Sequence, residues 1–231
     1  SGIGYATVLE LSNSYDNIII NSYHNPDKLL AVKKELIDKG VNCTSYVGDI
    51  SDYTFVNSML TDSIDRYGAI DLLVNNAGIS YVGLLSDMSY EDWRNVIDTN
   101  LTSVFNTCNI LTPYMVSRKE GHIINISSMW GQVGASMEVA YSASKGGVDA
   151  FTKALAKELA PSNVQVNAIS CGVVNTPMNS CFSEEDMELL KSDIPADRIC
   201  EAREVATLIK LIDNAPAYMT GQIIRIDGGL I

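Results

Sequence analysis

Short apolar runs rich in β-branched residues alternate along the chain with longer segments whose apolar positions recur at helical spacing. That alternation predicts βα units laid around a parallel sheet. Strands are expected from Asn17 to Asn21, Asn42 to Gly48, Ile70 to Asn75, His122 to Ile126, Val164 to Ile169 and Gln222 to Ile226. Several are apolar at successive positions, as in Ile18-Ile19-Ile20 and Ile123-Ile124, which suits strands covered by helices on both faces. Helices are predicted from Tyr5 to Ser14, Pro26 to Lys39, Tyr53 to Tyr67, Tyr90 to Val116, Val139 to Ala160 and Ala202 to Ile212. Asp52 stands as an N-cap before the third, and Ser89 with Asp92 resembles a capping box before the fourth.

Two segments break the rhythm. Residues Asn179 to Cys200 are acidic, contain methionine and include Pro195 near their end, and are read as a mobile lid over a substrate pocket. Ser1-Gly2-Ile3-Gly4 runs directly into a helix as the second half of a glycine-rich phosphate turn, so the strand belonging before it is expected to lie ahead of Ser1. No linker or repeat divides the chain. The expectation is one α/β domain over residues 1–231, a doubly wound, Rossmann-type parallel sheet in the order 3-2-1-4-5-6-7 whose first strand is absent from this sequence. The two longest helices carry Val104, Phe105, Ile110, Val148, Phe151 and Leu155, more apolar surface than one sheet face should need. Each is therefore expected to pack against a second copy as well.

Composition narrows the partners. A net charge of -12 argues against nucleic acid, which is bound through clustered Lys and Arg. No apolar run reaches the ~18 residues of a membrane span, so no membrane is expected. The five cysteines are odd in number and lack a CxxC pair, so neither a disulfide framework nor a zinc site is suggested, and a reducing cytoplasm fits. His24 and His122 stand apart without neighbouring ligands, and no metal is expected.

Tyr141 and Lys145 lie four residues apart, hence on one face of their helix. A nearby cation stabilises phenolate and suits a phenol for proton transfer. Alone this pair is a weak signal. Thirteen residues earlier, Ser128 follows an apolar strand, where its hydroxyl could reach a carbonyl beside the phenol. Asn75-Asn76-Ala77-Gly78 follows another strand, and its small residues permit close approach of a cofactor at the carboxyl edge of the sheet.

Taken in this order, with Asn100, Asp49, the segment Gly172 to Met178 and the ending Asp227-Gly228-Gly229, the chain resembles a short-chain dehydrogenase/reductase. Within that family it is most similar to the 3-oxoacyl-acyl-carrier-protein reductases. The resemblance implies an NAD(P)H-dependent reduction of a carbonyl, best a 3-oxoacyl thioester, and alternatively a dehydrogenase of a small sugar, polyol or secondary alcohol. A noncatalytic dinucleotide-binding scaffold is the remote alternative. It assigns Tyr141 as general acid, Ser128 as holder of the carbonyl oxygen, Lys145 as binder of the nicotinamide ribose that depresses the Tyr141 pKa, and Asn100 as holder of a relay water. Cofactor contacts fall to Gly2, Ile3, Gly4, Asn21, Ser22, Asp49, Ile50, Asn75, Ala77, Gly78, Val174 and Thr176, besides Tyr141 and Lys145. It also implies a homotetramer.

NADP is expected over NAD, although NAD remains possible. The residues after Ile20, Asn21 to Asn25, lack the carboxylate that would bond a ribose 2′-hydroxyl and repel a 2′-phosphate. Cys171 stands where the family usually has proline, and His122 and Ser162 replace arginines common in the acyl-carrier-protein reductases. The lid carries Glu184, Glu185, Asp186 and Glu188 against Lys191 and Arg198, so steering of an acidic carrier is expected to be weak. Arg118 and Lys119 are the nearest basic pair able to compensate, although they read more simply as a solvated helix end.

Overall fold

The alternation of strand and helix is realised in the computed structural model, which describes residues 1–231 apart from the side chains of residues 180 and 181. Helix α1 (Gly2–Leu11) leads to strand β1 (Asn17–Ser22), α2 (Pro26–Asp38), β2 (Asn42–Val47), α3 (Tyr53–Tyr67) and β3 (Leu72–Asn75). Next come α4 (Tyr90–Ile97), α5 (Ser103–Arg118) and the buried strand β4 (Gly121–Ser128). A single turn, α6 (Trp130–Val133), precedes the long α7 (Val139–Leu159) and β5 (Val164–Cys171). The chain continues through β6 (Val174–Asn175), α8 (Glu184–Ser192), β7 (Cys200–Glu201), α9 (Ala202–Asp213) and β8 (Ile223–Ile226).

All pairings are parallel: β2-β1 form one sheet, β3-β4-β5-β8 another, and β6-β7 a short third ladder. The two main sheets reproduce the expected order with its first strand left out. Alternation along β4 sends Ile123 toward Val104, Leu111 and Val148, and sends Ile124 and Ile126 toward Leu11, Val205 and Ile209. Both faces are thus covered by helices, as the continuous apolar runs predict. A third cluster, built on Ile18, Ile20, Leu29 and Leu36, holds β1 and β2 to α2.

The caps behave as their residue types require. Asp52 accepts from Thr54 N at 2.8 Å and Phe55 N at 3.3 Å, and Ser89 and Asp92 close a reciprocal capping box. Three expectations change. The first helix begins at Gly2 rather than Tyr5, so the glycine turn is itself its first turn. The helix foreseen from Tyr90 to Val116 is interrupted by a π-helical turn at Asp98–Thr102. The apolar excess on the long helices is mostly internal: Val104, Ile110 and Val148 are buried, and Phe151 and Leu155 pack against their cluster. Helix α5 meets α3 as well as the sheet, so it needs apolar residues on two sides, and of the six only Phe105 is exposed.

At the amino end of β4, His122 lies 3.8 Å from the Asp213 carboxylate and 3.2 Å from Asn167 Nδ2. The Tyr15 hydroxyl donates to Asp213 at 2.9 Å, so this cluster joins the end of α9 to the sheet and to the turn after α1. Burial holds the His122 pKa below its usual 6.5, although Asp213 works against the shift. Above that pH the imidazole is neutral folded or unfolded; below it the unfolded chain binds a proton that the folded chain disfavours, so stability is lost as pH falls. His122→Gln should therefore lose less stability than the unaltered protein between pH 6.5 and about 5, read by denaturant melts. Identical pH slopes for the two proteins would contradict this.

Candidate active site

Strand β4 ends on Ser128, and the register places Cys171, the last residue of β5, beside it. Helix α7 lies over this edge and turns Tyr141 and Lys145 toward the strand ends. Ser128, Tyr141 and Lys145 are 6%, 9% and 4% exposed. The Tyr141 phenol shares a hydrogen bond with Ser128. Lys145 Nζ donates to the Ile126 carbonyl at 2.8 Å and lies 5.7 Å from the centre of the Tyr141 ring. The helix is seated closely: a Cβ on Gly131 would come within 2.7 Å of the Lys145 carbonyl carbon, and Ser127 Oγ donates to the Lys145 carbonyl at 3.3 Å.

Burial pushes the Tyr141 phenol up to about 12, against the hydrogen bond from Ser128. Burial brings Lys145 down to about 8, with Cys171 and Asp149 opposing the fall. The depression of the Tyr141 pKa expected from Lys145 is therefore not observed. Desolvation is the largest influence on the phenol, and the ammonium, bonded to the Ile126 carbonyl, lies over the Tyr141 ring at 5.7 Å from its centre.

Asn100 occupies the π-helical turn and is 1% exposed. Its Oδ1 accepts from Ile79 N at 2.8 Å, and its two amide hydrogens go to Ile79 O at 2.9 Å and Ser144 Oγ at 3.0 Å. The side chain thereby pins the loop after β3 to α7. At Gly78 a Cβ would lie 3.3 Å from Asn100 Oδ1 and 3.4 Å from Lys145 Nζ, so this loop passes directly over both.

The remaining predicted residues ring the same edge, in two kinds. Gly2 has φ +50°, and a Cβ there would sit 3.2 Å from Thr176 Cγ2; at Gly4 it would sit 2.7 Å from Asn76 Nδ2. The start of α1, Ile3 included, thus lies against the segments that follow β6 and β3. No side chain caps this helix start. Free first-turn N–H groups and space kept by glycine fit the pyrophosphate of a dinucleotide. Val174, in β6, is buried and lends its carbonyl to Asn179 Nδ2 at 2.8 Å.

Other predicted side chains are already engaged. Asn75 donates to Asn125 Oδ1 and accepts from Thr107 Oγ1, both at 2.8 Å. Asn21 donates to Tyr46 O at 3.2 Å and Gly48 O at 3.1 Å, stitching β1 to the end of β2. One Asp49 oxygen closes a local turn on Ser51 N and Oγ, each at 2.8 Å, and Asn106 donates to Ile50 O at 3.2 Å. Ser22 ends β1, and Ala77 follows β3 beside Gly78. Two residues were missed: Asn76, which meets the glycine turn, and Lys28 on α2, which lies near enough to Ser1 to act on it electrostatically.

Two loops meet beside this edge: Gly83 N donates to Met137 O at 2.8 Å, joining the loops that follow β3 and α6. Val82, Leu84, Leu85 and Met137 are exposed on these loops, and Val133 is exposed on α6. The expected lid contains helix α8, started by a Ser183–Asp186 capping box, with Leu189 exposed on it; the side chain of Cys181 lies outside the described residues. Arg198 is held by Glu204 through two bonds of 2.7 Å. Arg118 pairs with Asp71 at 2.7 Å at the opposite, amino end of the sheet, because α5 ends where β4 begins. This places Arg118 and Lys119 at an exposed helix end, the simpler of their two readings, and not beside the cleft.

Gly131→Ala should force its methyl against the α7 backbone, which cannot rotate away, and cost about 1–3 kcal/mol of stability. Thermal melts check this, and an unchanged midpoint would show that α6 and α7 are not locked together.

Among the described residues, no helix is long and apolar enough to cross a membrane. Residues 1–186 match the family model described as short chain dehydrogenase. The chain is 40% identical to a 3-oxoacyl-[acyl-carrier-protein] reductase of Thermotoga maritima, covering 100% of this chain and 94% of that protein. A reductase of the same description from Synechocystis is 38% identical over 100% of this chain and 93% of its own length. Among solved structures, a putative gluconate dehydrogenase from Agrobacterium tumefaciens superposes with a TM-score of 0.93 at 30% identity, over 99% of this chain and 91% of that one. Site geometry and likeness along the whole length agree: the chain belongs to the short-chain dehydrogenase/reductase family of NAD(P)-dependent oxidoreductases acting on CH–OH groups.

Proposed function

We propose that the chain reduces a 3-oxoacyl thioester to the 3-hydroxyacyl thioester, with NADPH as hydride donor. The observation that carries this reading is the Ser128–Tyr141–Lys145 cluster at the carboxyl end of β4, with exposed apolar side chains on the loops that follow β3 and α6. Ser128 and Tyr141 hold the carbonyl oxygen, and Tyr141 passes its proton to that oxygen as hydride reaches the carbon. Lys145 supports the phenolate and bonds the ribose hydroxyls. Both amide hydrogens of Asn100 are engaged, so a relay water would be held by the backbone of its π-helical turn rather than by its side chain.

The nicotinamide dinucleotide supplies the hydride when bound. Gly2, Ile3 and Gly4 receive its pyrophosphate, Asp49 and Ile50 its adenine, and Asn75, Ala77 and Gly78 its adenosine side through their backbone. Val174 and Thr176 hold the carboxamide. The neutral end of β1, Asn21 and Ser22, together with Lys28, favours the 2′-phosphate of NADP, and Lys28 supplies the cation that the glycine turn itself lacks. Exposed Phe105, Tyr114 and Val116 on α5 support a homotetramer built partly on this helix. The free described cysteines suit a reducing cytoplasm.

The exposed apolar side chains of those loops and the names of the similar reductases favour an acyl substrate. A sugar-acid or polyol reading draws on the likeness to the gluconate dehydrogenase structure. With Arg118 far from the cleft and Arg198 held by Glu204, an acidic carrier protein finds little attraction there, so a thioester on coenzyme A should be reduced nearly as well as one on acyl-carrier protein.

Tyr141→Phe should lower turnover at least ~10²-fold while leaving cofactor binding intact, as read by initial rates and fluorescence titration. Near-normal turnover would remove Tyr141 from the chemistry. Acetoacetyl thioesters should exceed gluconate and small polyols in kcat/KM, and the reverse ranking would move the assignment to the sugar-acid class. Lys28→Glu should narrow the ratio of kcat/KM for NADPH over NADH by about tenfold, the effect of about 1.4 kcal/mol. An unchanged ratio would free Lys28 from cofactor selection.

A further inference from the structure

Helix α7 buries a second charge that the reaction as described leaves unused. Asp149 follows Lys145 by one helical turn on the same face and, at 6% exposed, is nearly as enclosed. Its Oδ1 has no hydrogen-bond partner, nor has Ser170 Oγ. Ser170 pairs in register with Ser127, and Ser127 both faces the Asp149 carboxylate and donates to the Lys145 carbonyl at 3.3 Å. Two serines on neighbouring strands, a carboxylate and an ammonium therefore form one enclosed polar cluster between α7 and the sheet. The other buried positions on the helix are neutral: Ala140, Tyr141, Ser144, Val148, Thr152, Ala156 and Leu159.

A carboxylate with an orphaned oxygen is a costly way to fill a helix–sheet interface, since a neutral side chain of similar size would pack there without the desolvation penalty. We infer that Asp149 is a positioning residue whose buried negative charge keeps the Lys145 ammonium protonated in the active site. The two are not in direct contact, because Lys145 Nζ is turned to the Ile126 carbonyl; the influence is through space and strengthened by the dry interior. The groups acting on Lys145 are Cys171 from β5 and Asp149 from α7, with the neutral Tyr141 ring beside it. From the π-helical turn the neutral Asn100 side chain faces this region, and the apolar Leu101 faces Gly147 on α7. On Asp149 burial is the largest influence and raises its pKa, while the hydrogen bond from Ser127, the exposed Lys153 and Lys145 act the other way and favour the carboxylate. Lys145 already stands near 8 through burial, so losing the carboxylate carries it through the neutral range, where a working ammonium is needed.

The inference rests on the proposed role of Lys145, and the test separates the two. The Lys145 midpoint is followed by NMR of carbon-13-labelled lysine in the whole protein, assigned with Lys145→Met, and it requires no turnover. Asp149→Asn and Asp149→Ser should each lower that midpoint by about one pH unit, whereas Asp149→Glu should hold it near the unaltered value. The alkaline limb of kcat/KM should move down by the same amount in the neutral variants, with activity recovering at about pH 6. An unmoved midpoint would overturn the inference, as would failure of both neutral variants to fold while Asp149→Glu folds, since the carboxylate would then be structural. A lowered midpoint in a protein that reduces no carbonyl would keep the inference and remove the proposed reaction instead.

Discussion

An ammonium taken out of water loses several kcal/mol of hydration unless hydrogen bonds and counter-charge replace it. Lys145 meets that requirement at the seam between α7 and β4, with the Ile126 carbonyl on its amine. Strand β4 offers that carbonyl one position beyond its last pairing with β3, where the backbone pattern on that side gives way to the site. The helix cannot slide to relieve the amine, since Gly131 admits α7 at a separation that any Cβ would forbid. Tyr141, one turn earlier, is carried into place by the same seam, and Ser128 is the last residue of the same strand. Fold and site are therefore one packing problem.

The π-helical turn at Asp98–Thr102 solves a second part of it. An uninterrupted helix would keep its backbone paired and its amide side chain on a regular stripe. The inserted residue lets Asn100 reach Ile79 on one side and Ser144 on the other, which fixes the loop over the cleft relative to α7. Gly78 then lies against both Asn100 and Lys145, so the loop after β3 is held by the residues that surround Tyr141.

Much of this was legible in the residues because its signals are local. Periodicity marks the strands and helices, and Asp52 and Ser89 mark two helix starts at their first positions. The Ser128, Tyr141 and Lys145 spacing anticipated a cluster that the structure assembles. What escaped depends on approach between distant segments. Nothing near Asn76 announces that Gly4 will touch it, and Lys28 comes near the glycine turn only once α2 is laid beside β1. Asn75 and Asn21 were read as facing a cofactor, yet an amide at a strand end can turn inward as readily, and both serve as cross-strand struts. Part of the apolar excess on α5 faces α3 and the sheet, which helical spacing alone does not reveal, and Phe105 is the part left exposed.

The central claim is that this cleft passes hydride from a nicotinamide to the carbonyl carbon of an acyl thioester while the protein supplies the proton to oxygen. The most direct measurement uses NADPH carrying deuterium at the reactive carbon, prepared on either face, with acetoacetyl thioester as acceptor and mass spectrometry of the product. The account predicts one deuterium retained on the hydroxyl-bearing carbon from one of the two labelled faces and none from the other. Product formed without label from either face, or no product from any 3-oxoacyl thioester, would contradict it.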